Sequence, residues 1–335
     1  MAERPQRRIR TIDAHAAGQA LRLVVGGFPR PRGSTMAQKR DWLRRRWDRL
    51  RRALMREPRG HAGMCGAVLT EPVTPGAHAG LLFLHAGGYA PLSGHGIVAA
   101  VTIALERGLL QLADPAADVV LDTVAGPVTA RAERSGRRVA RVSFRNVPAF
   151  VLQAGVAVRL RDRQVPVDVA FGGMFYAIAD GESLGAAVRP DGLPALRRLG
   201  FELCRAADAA VAPVHPRDPG LRGIHGAIVV GAPDGDDADL RSVTIFADAR
   251  VDRSPSGTGT AAAMAVVDAM GMLEPGRPFV HESLAGTRFV GRLEDRTTVG
   301  DLPAIVARIA GEAWITGEHE FVIDADDPLA DGLAS

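Results

Sequence analysis

A duplicated α/β fold is what this sequence predicts, and three observations predict it. The octapeptide SGHGIVAA at 93–100 returns as SGTGTAAA at 256–263, an offset of 163 residues. Short runs with strand character, separated by Gly or Ser-Gly turns, fill both halves of the chain. The 335 residues are 47% hydrophobic and 24% charged, enough apolar material for two ordinary domains with cores of their own.

The N-terminal stretch MAERPQRRIRTID is basic but is followed by no apolar run, so it does not read as a secretory signal. Within DWLRRRWDRLRRALMREPRG, Leu43, Trp47, Leu50 and Leu54 recur at steps of four, three and four. That spacing predicts an amphipathic helix with its arginines on the outer face. FLHAG, VVLDTVAG, VTARAE and RVARVSF read as strands and hairpin arms of the first half. VPVDVAFGG, FYAIAD, HGAIVVG, RSVTIFAD and FVGRL read the same way in the second. Each S-G-x-G opens a helix of about four turns that a glycine closes, Gly108 or Gly271, each 15 residues after its serine. The Asp- and Gly-rich stretch at 232–239 reads as a surface loop, AWITGEHEFVID as a strand pair, and the polar tail at 325–335 as frayed.

Composition excludes several classes of function. The net charge is +3, and Lys39 is the single lysine, so nearly all basic residues are arginine. With 5% aromatic residues and no stacking motif among the arginines, the cluster at 40–59 reads as a solvated helix face and not as a nucleic-acid surface. No apolar run reaches the 18 or so residues of a membrane span. Two cysteines, Cys65 and Cys204, are too few for a disulfide framework and fit a reducing cytoplasm. Neither a P-loop nor a G-x-G-x-x-G after a strand is present.

The two S-G-x-G helix starts carry the chemistry. A helix N-terminus leaves backbone N–H groups unpaired and bears partial positive charge, so it accommodates a carboxylate. Two such starts facing one small carboxylate would put Ser93 and Ser256 on opposite sides of it, an arrangement suited to taking a proton from one face of a carbon acid and delivering one on the other. Serine is also a common N-cap, and the repeat by itself does not choose between the two roles.

Longer stretches resemble proline racemases and their hydroxyproline relatives: TIDAHAAGQALRLVVGGFP (11–29), GSTMAQKR (33–40), LMREPRGHAGMCGA (54–67), GYAPLSGHG (88–96), LDTVAGPV (121–128), NVPAF (146–150), DVAFGGMFYA (168–177), VDRSPSGTGT (251–260), ESLAGTRFVG (282–291) and WITGEHEFVIDADDP (314–328). The resemblance implies two pseudo-symmetric domains of the diaminopimelate-epimerase type, each a curved, mostly antiparallel sheet around a central helix, with the active site in the cleft between them. They would comprise 1–137 with 319–335, carrying Ser93, and 138–318, carrying Ser256. It implies no cofactor, no metal and an imino-acid substrate. It implies a homodimer too, although nothing in the chain itself marks an interface. By motif, Ser93 and Ser256 take the two acid/base positions, and His95 and Asp252 contact the ring nitrogen. Gly94, Gly257 and Thr258 bind the carboxylate, and Phe246 walls the ring. The lesser alternative for Asp252 is an ion pair with Arg253 and nothing more.

The chain departs from that family where it matters most. Both positions that commonly carry thiols are serine. A thiol with an ordinary pKa near 8.5 ionises readily beside a helix dipole, whereas a hydroxyl needs a partner base. Reversible racemisation needs a base on each face, so losing both thiols hurts it most. Dehydration needs one base and one proton donor. Cys65 stands where relatives usually carry a large aromatic; it leaves room for a ring hydroxyl, is a small buried hydrophobe, or supplies a thiol inside the pocket away from both helix starts. Ala16, Gln19, Gly63 and Met174 are further departures. The favoured expectation is dehydration of trans-3-hydroxy-L-proline to Δ1-pyrroline-2-carboxylate, with Ser93 on the base side and Ser256 on the leaving-group side. The alternatives are 2-epimerisation of 4-hydroxyproline, racemisation of proline, or a silent imino-acid binder, including one whose two thiols have been replaced.

Overall fold

The computed structural model describes residues 6–112, 118–161 and 163–333. The chain divides into two compact units, one running to Val142 and resuming at Glu312, the other Ser143–Gly311.

In the first unit, strands Arg7–Ala16 and Gln19–Gly26 form a hairpin. Its two connecting residues, Ala17 and Gly18, both have positive φ, the twist a tight two-residue turn requires. Helix α1 (Met36–Met55) then carries the chain to Cys65–Thr70, which lies parallel to Gln19–Gly26. Strand Ala79–His85 returns antiparallel to it. Helix α2 (Gly94–Glu106) leads on to Val119–Thr123, parallel to Ala79–His85, and Gly126–Ser135 folds back antiparallel. Ala313–Ile323 closes the other side against Arg7–Ala16.

The second unit repeats the scheme. Strands Ala149–Leu160, Arg163–Phe171 and Phe175–Asp180 run antiparallel in turn. A single turn, α3 (Gly181–Leu184), and helix α4 (Leu193–Val211) lead to Ile224–Gly231, parallel to Phe175–Asp180. Leu240–Phe246 returns antiparallel, and helix α5 (Gly257–Ala269) leads to Phe279–Ser283, parallel to it. Arg288–Val299 and Leu302–Gly311 complete an antiparallel run that comes back to Ala149–Leu160 at Ala304 opposite Phe150. The strands thereby close a circuit, and α5 packs against Ala149–Leu160, Arg163–Phe171, Arg288–Val299 and Leu302–Gly311.

The two S-G-x-G helices are therefore central. Every residue of α2 from Gly94 to Leu105 is buried, as is every residue of α5 from Gly257 to Val266. Such helices are apolar all round, the pattern of a helix with no solvent face. Both end in the same way. Past Gly108 (φ 64°) and Gly271 (φ 73°), Leu109 N–H donates to Ala104 O (2.8 Å) and Met272 N–H to Val267 O (3.0 Å), the six-to-one bond of a glycine-terminated helix. The outer helices are amphipathic. Leu43, Leu50 and Leu54 of α1 and Leu196, Leu203 and Cys204 of α4 face the separate cores of their units.

Three local expectations are corrected. AWITGEHEFVID is one continuous strand, because Arg7–Ala16 offers it a partner along its whole length. The tail is docked and not frayed as far as Leu333. Arg59 binds Asp327 (2.5 Å), Arg52 binds Asp331 (2.9 Å), and Leu333 N–H donates to Glu57 O (2.8 Å). Not all basic residues of α1 point outward. Lys39 is buried, with its ammonium on Glu71 O. Arg51 is buried as well, with its guanidinium bound to Asp48 and to the carbonyls of His85 and Ala86. No helix of the described residues is long and apolar enough to cross a membrane.

Arg22 joins the elements of the first unit. It pairs with Asp13 (Nη2–Oδ2 2.8 Å), donates to Leu54 O (2.7 Å) and Arg59 O (2.5 Å), and lies over the Phe321 ring. Removing one partner of a buried pair strands the other. Arg22→Met is expected to lower unfolding free energy by about 3 kcal/mol, read as a fall in the urea midpoint.

Candidate active site

Ser93 and Ser256 are the N-caps of α2 and α5. Each Oγ accepts the N–H of the residue three on, from Gly96 and from Gly259, at 3.2 Å in both cases. The second glycine of each motif has a steric cause. A Cβ on Gly96 would lie 2.8 Å from Ser93 Oγ and 2.6 Å from the Phe83 ring; one on Gly259 would lie 2.9 Å from Ser256 Cβ. Only glycine lets the cap serine sit over the first turn. Gly94, His95, Gly257 and Thr258 fill the first two helical positions, whose N–H groups have no intrahelical acceptor.

The surroundings of the two serines differ. Ser93 is a half-buried cap with ordinary extended backbone (φ −143°), and both ring nitrogens of the buried His95 lie 3.4 Å from its Oγ. Ser256 is buried and has φ +61°, a region that L-residues rarely adopt and that costs of order 1–3 kcal/mol. A polar scaffold holds it there. Its N–H donates to Ser254 Oγ (3.1 Å), and Ser254 in turn donates through Oγ (2.8 Å) and N–H (2.9 Å) to Asp252 Oδ1. Its carbonyl accepts both the N–H (2.7 Å) and the hydroxyl (2.8 Å) of Thr260.

Behind Thr260 lies a buried relay. With the Thr260 proton given to Ser256 O, Thr260 Oγ1 accepts from His281 Nδ1–H (2.8 Å), which leaves Nε2 to accept from the Ser242 hydroxyl (2.8 Å). Full burial pushes the His281 pKa down to about 3, so the imidazole is neutral. Thr258 is gripped similarly, its Oγ1 lying 2.7 Å from the hydroxyl of the fully buried Tyr176.

Asp252, on the short strand Val251–Asp252, is buried, and its Oδ1 accepts from the Ser254 N–H and hydroxyl. Phe246 ends strand Leu240–Phe246 with the Arg250 guanidinium over its ring (4.9 Å) and the His225 ring edge-on (5.8 Å). In the first unit, Cys65 opens its strand opposite His85. The buried Gln19 donates through Nε2 to Cys65 Sγ (3.5 Å) and to Gly63 O (2.9 Å), and Ala16 is the register partner of Gln19. Four of the sequence's departures thus form one cluster. The structure therefore gathers Ser93, Gly94 and His95 at one helix start. It gathers Asp252, Ser256, Gly257 and Thr258 at the other. Cys204 lies on α4, its sulfhydryl turned to Ile245 O (3.5 Å) and its pKa pushed up to about 12 by burial. It is an inert core thiol. Among the described residues, no group of three or more His, Cys, Asp and Glu side chains is placed to hold a metal.

Sequence reasoning missed Tyr176, Ser254, Thr260 and His281. All four lie in or beside motifs that were singled out, but no spacing rule brings residues 176 and 281 to the start of a helix at 257.

The family model described as proline racemase matches residues 11–334. A trans-3-hydroxy-L-proline dehydratase of Bacillus thuringiensis subsp. konkukian is 41% identical over 323 residues, 96% of this chain and 97% of that protein. A proline racemase of Clostridioides difficile is 39% identical over 328 residues, 98% of each chain. A crystal structure of a hydroxyproline epimerase from Agrobacterium vitis, with bound trans-4-hydroxy-L-proline, superposes with a TM-score of 0.92 at 31% identity, covering 98% of this chain and 95% of that one.

Two outcomes test the geometry of the second helix start. Gly259→Ala forces Ser256 aside and is expected to cost at least about 1 kcal/mol of stability and most of any turnover. The neutral buried His281 makes the fold more stable above its unfolded pKa of about 6.5 than below it. That contribution is lost as pH falls from there toward about 3. Urea unfolding between pH 7 and pH 4 should show a shallower loss of stability in His281→Gln than in the parent.

Proposed function

The chain belongs to the proline racemase family, and on that premise we propose that it dehydrates trans-3-hydroxy-L-proline. The hydroxyl of Ser93 takes the Cα proton while passing its own to a ring nitrogen of His95. Ser256 protonates the departing 3-hydroxyl and regains a proton from solvent, while the His95 imidazolium returns its own to solvent. The C2–H and C3–O bonds break, a C2=C3 enamine forms and water leaves. Tautomerisation to Δ1-pyrroline-2-carboxylate follows. Gly94, Gly257 and Thr258 hold the carboxylate, Asp252 and His95 face the ring nitrogen, and Phe246 and Cys65 bound the ring.

The observation that carries this reading is the asymmetry of the two cap serines. A hydroxyl becomes a base only with an acceptor for its proton; Ser93 has the His95 ring at 3.4 Å. A hydroxyl becomes a better acid when donors support its oxygen; both cap oxygens receive a helix N–H at 3.2 Å, so it is the imidazole beside Ser93 that separates the base side from Ser256. One base and one acid suffice for dehydration, whereas racemisation requires each group to act as both. The Bacillus relative's name supports the same choice, and so does the small Cys65 at the ring position.

Proton NMR in deuterated buffer, with 3-hydroxyproline, 4-hydroxyproline and proline supplied separately, tests it. The expected result is imine from the 3-hydroxy compound alone. Deuterium at Cα with a second diastereomer from 4-hydroxyproline would replace dehydratase by epimerase, and calorimetric binding without exchange on any substrate would leave a silent binder. Ser256→Ala is expected to cut kcat at least about a hundredfold while substrate still binds; survival of turnover would remove Ser256 from the mechanism.

A further inference from the structure

We infer that Tyr176 is a positioning residue for the substrate carboxylate: its phenol donates to Thr258 Oγ1 and so turns the Thr258 hydroxyl proton toward the ligand. This rests on the carboxylate-binding role proposed for Thr258 above.

Strand Phe175–Asp180 alternates. Phe175, Ala177 and Ala179 belong to the core beneath α4, so Tyr176 and Ile178 lie on the opposite face, toward α5. The neighbouring large aromatics of this unit's core, Phe150, Phe171 and Phe175, carry no hydroxyl, and the one residue that does meets the first turn of α5. The preceding glycine makes the approach tight, since a Cβ on Gly172 would lie 2.1 Å from Thr258 O and 2.7 Å from Ala262 N. The backbone of FGGMFY is thus pressed against the first turn of α5, and its tyrosine is delivered beside Thr258 Oγ1 at 2.7 Å.

Proton counting then fixes the direction. A hydroxyl has one proton to give and two lone pairs. A carboxylate only accepts, so a Thr258 that binds one must give it its proton and can take only a proton from Tyr176. The phenol has to stay protonated to supply it. Burial raises the Tyr176 pKa well above its ordinary value, outweighing the opposing hydrogen bonds of the Thr258 and Ser256 hydroxyls. At working pH it is a donor and never a base. A chain of phenol, hydroxyl and carboxylate strengthens each member, because each donor is polarised by the one behind it.

Tyr176→Phe keeps the ring and removes the proton. With trans-3-hydroxy-L-proline the expected result is a KM raised about tenfold with kcat within about threefold of the parent, and a urea midpoint close to the parent's. Thr258→Val should raise KM similarly. The KM of the double variant should be no higher than that of Thr258→Val alone, because the phenol reaches the carboxylate through that hydroxyl. Thr258→Ser, which keeps the hydroxyl, should restore the dependence on Tyr176. An unchanged KM in Tyr176→Phe, or additive losses in the double variant, would overturn the inference. The dissociation constant of proline, measured by calorimetry on the same variants, separates it from the proposed reaction. If the parent binds imino acids but dehydrates none, the reaction is wrong and the tenfold weakening is read in binding. If the parent binds none, Thr258 holds no carboxylate and the role of Tyr176 falls with it.

Discussion

Two helices buried along nearly their whole length impose the constraint on which everything else rests. A helix with a solvent face can leave its first N–H groups to water. The first turns of α2 and α5 are buried from Gly94 and Gly257 onward, and a buried unpaired donor costs about 1–3 kcal/mol. The fold meets part of this cost with a cap serine whose Oγ takes the third N–H, and that cap exists only because Gly96 and Gly259 leave room for it. The N–H groups of the first two helical positions are suited to an anion. The device that makes a central helix stable therefore also leaves, at its end, the N–H groups that the proposed carboxylate site uses.

Duplication supplied the two units with one pattern: parallel, antiparallel and parallel strand pairs placed around an S-G-x-G helix. The surroundings of the two caps differ. Ser93 keeps relaxed backbone and a histidine neighbour. Ser256 is held at φ +61° by the Asp252–Ser254 turn on one side and the Thr260–His281–Ser242 relay on the other. Strain of that kind persists only where surrounding bonds over-determine it. Four hydrogen bonds meet the N–H, carbonyl and Oγ of Ser256, and that is over-determination enough.

The duplicated α/β architecture was legible because its signals are local. The helix starts, the closing glycines at 108 and 271 and the amphipathic spacing of Leu43, Leu50 and Leu54 each depend on residues within a few turns of one another. The strand at Ala313–Ile323 was misjudged as a pair because its partner, Arg7–Ala16, lies three hundred residues away, and a Gly-containing run looks like a turn until that partner is known. The docked tail was missed for the same reason: Asp327 and Asp331 read as polar fraying until Arg59 and Arg52 are brought to them. At the site, residues carrying an obvious chemistry at a motif were visible. Those that act by holding others were not. Tyr176 and His281 look like ordinary core residues in the sequence, and only the closed strand circuit of the second unit delivers them to α5.

Replacing two thiols by two hydroxyls changes what a paired helix start can do. A thiolate is activated by the dipole alone and can return its proton, so a thiol pair is symmetric and works in both directions. A hydroxyl is far too weak an acid for a dipole worth about 0.3–1 kcal/mol to ionise it, so its role is set by whichever neighbour completes it. Ser93 has an imidazole beside it and Ser256 a strained, fully bonded backbone, so the two hydroxyls are not equivalent. In the proposed reaction the two hydroxyls therefore take different parts, and elimination, in which one carbon loses a proton and the next loses a protonated hydroxyl, is the reaction that asks for that difference.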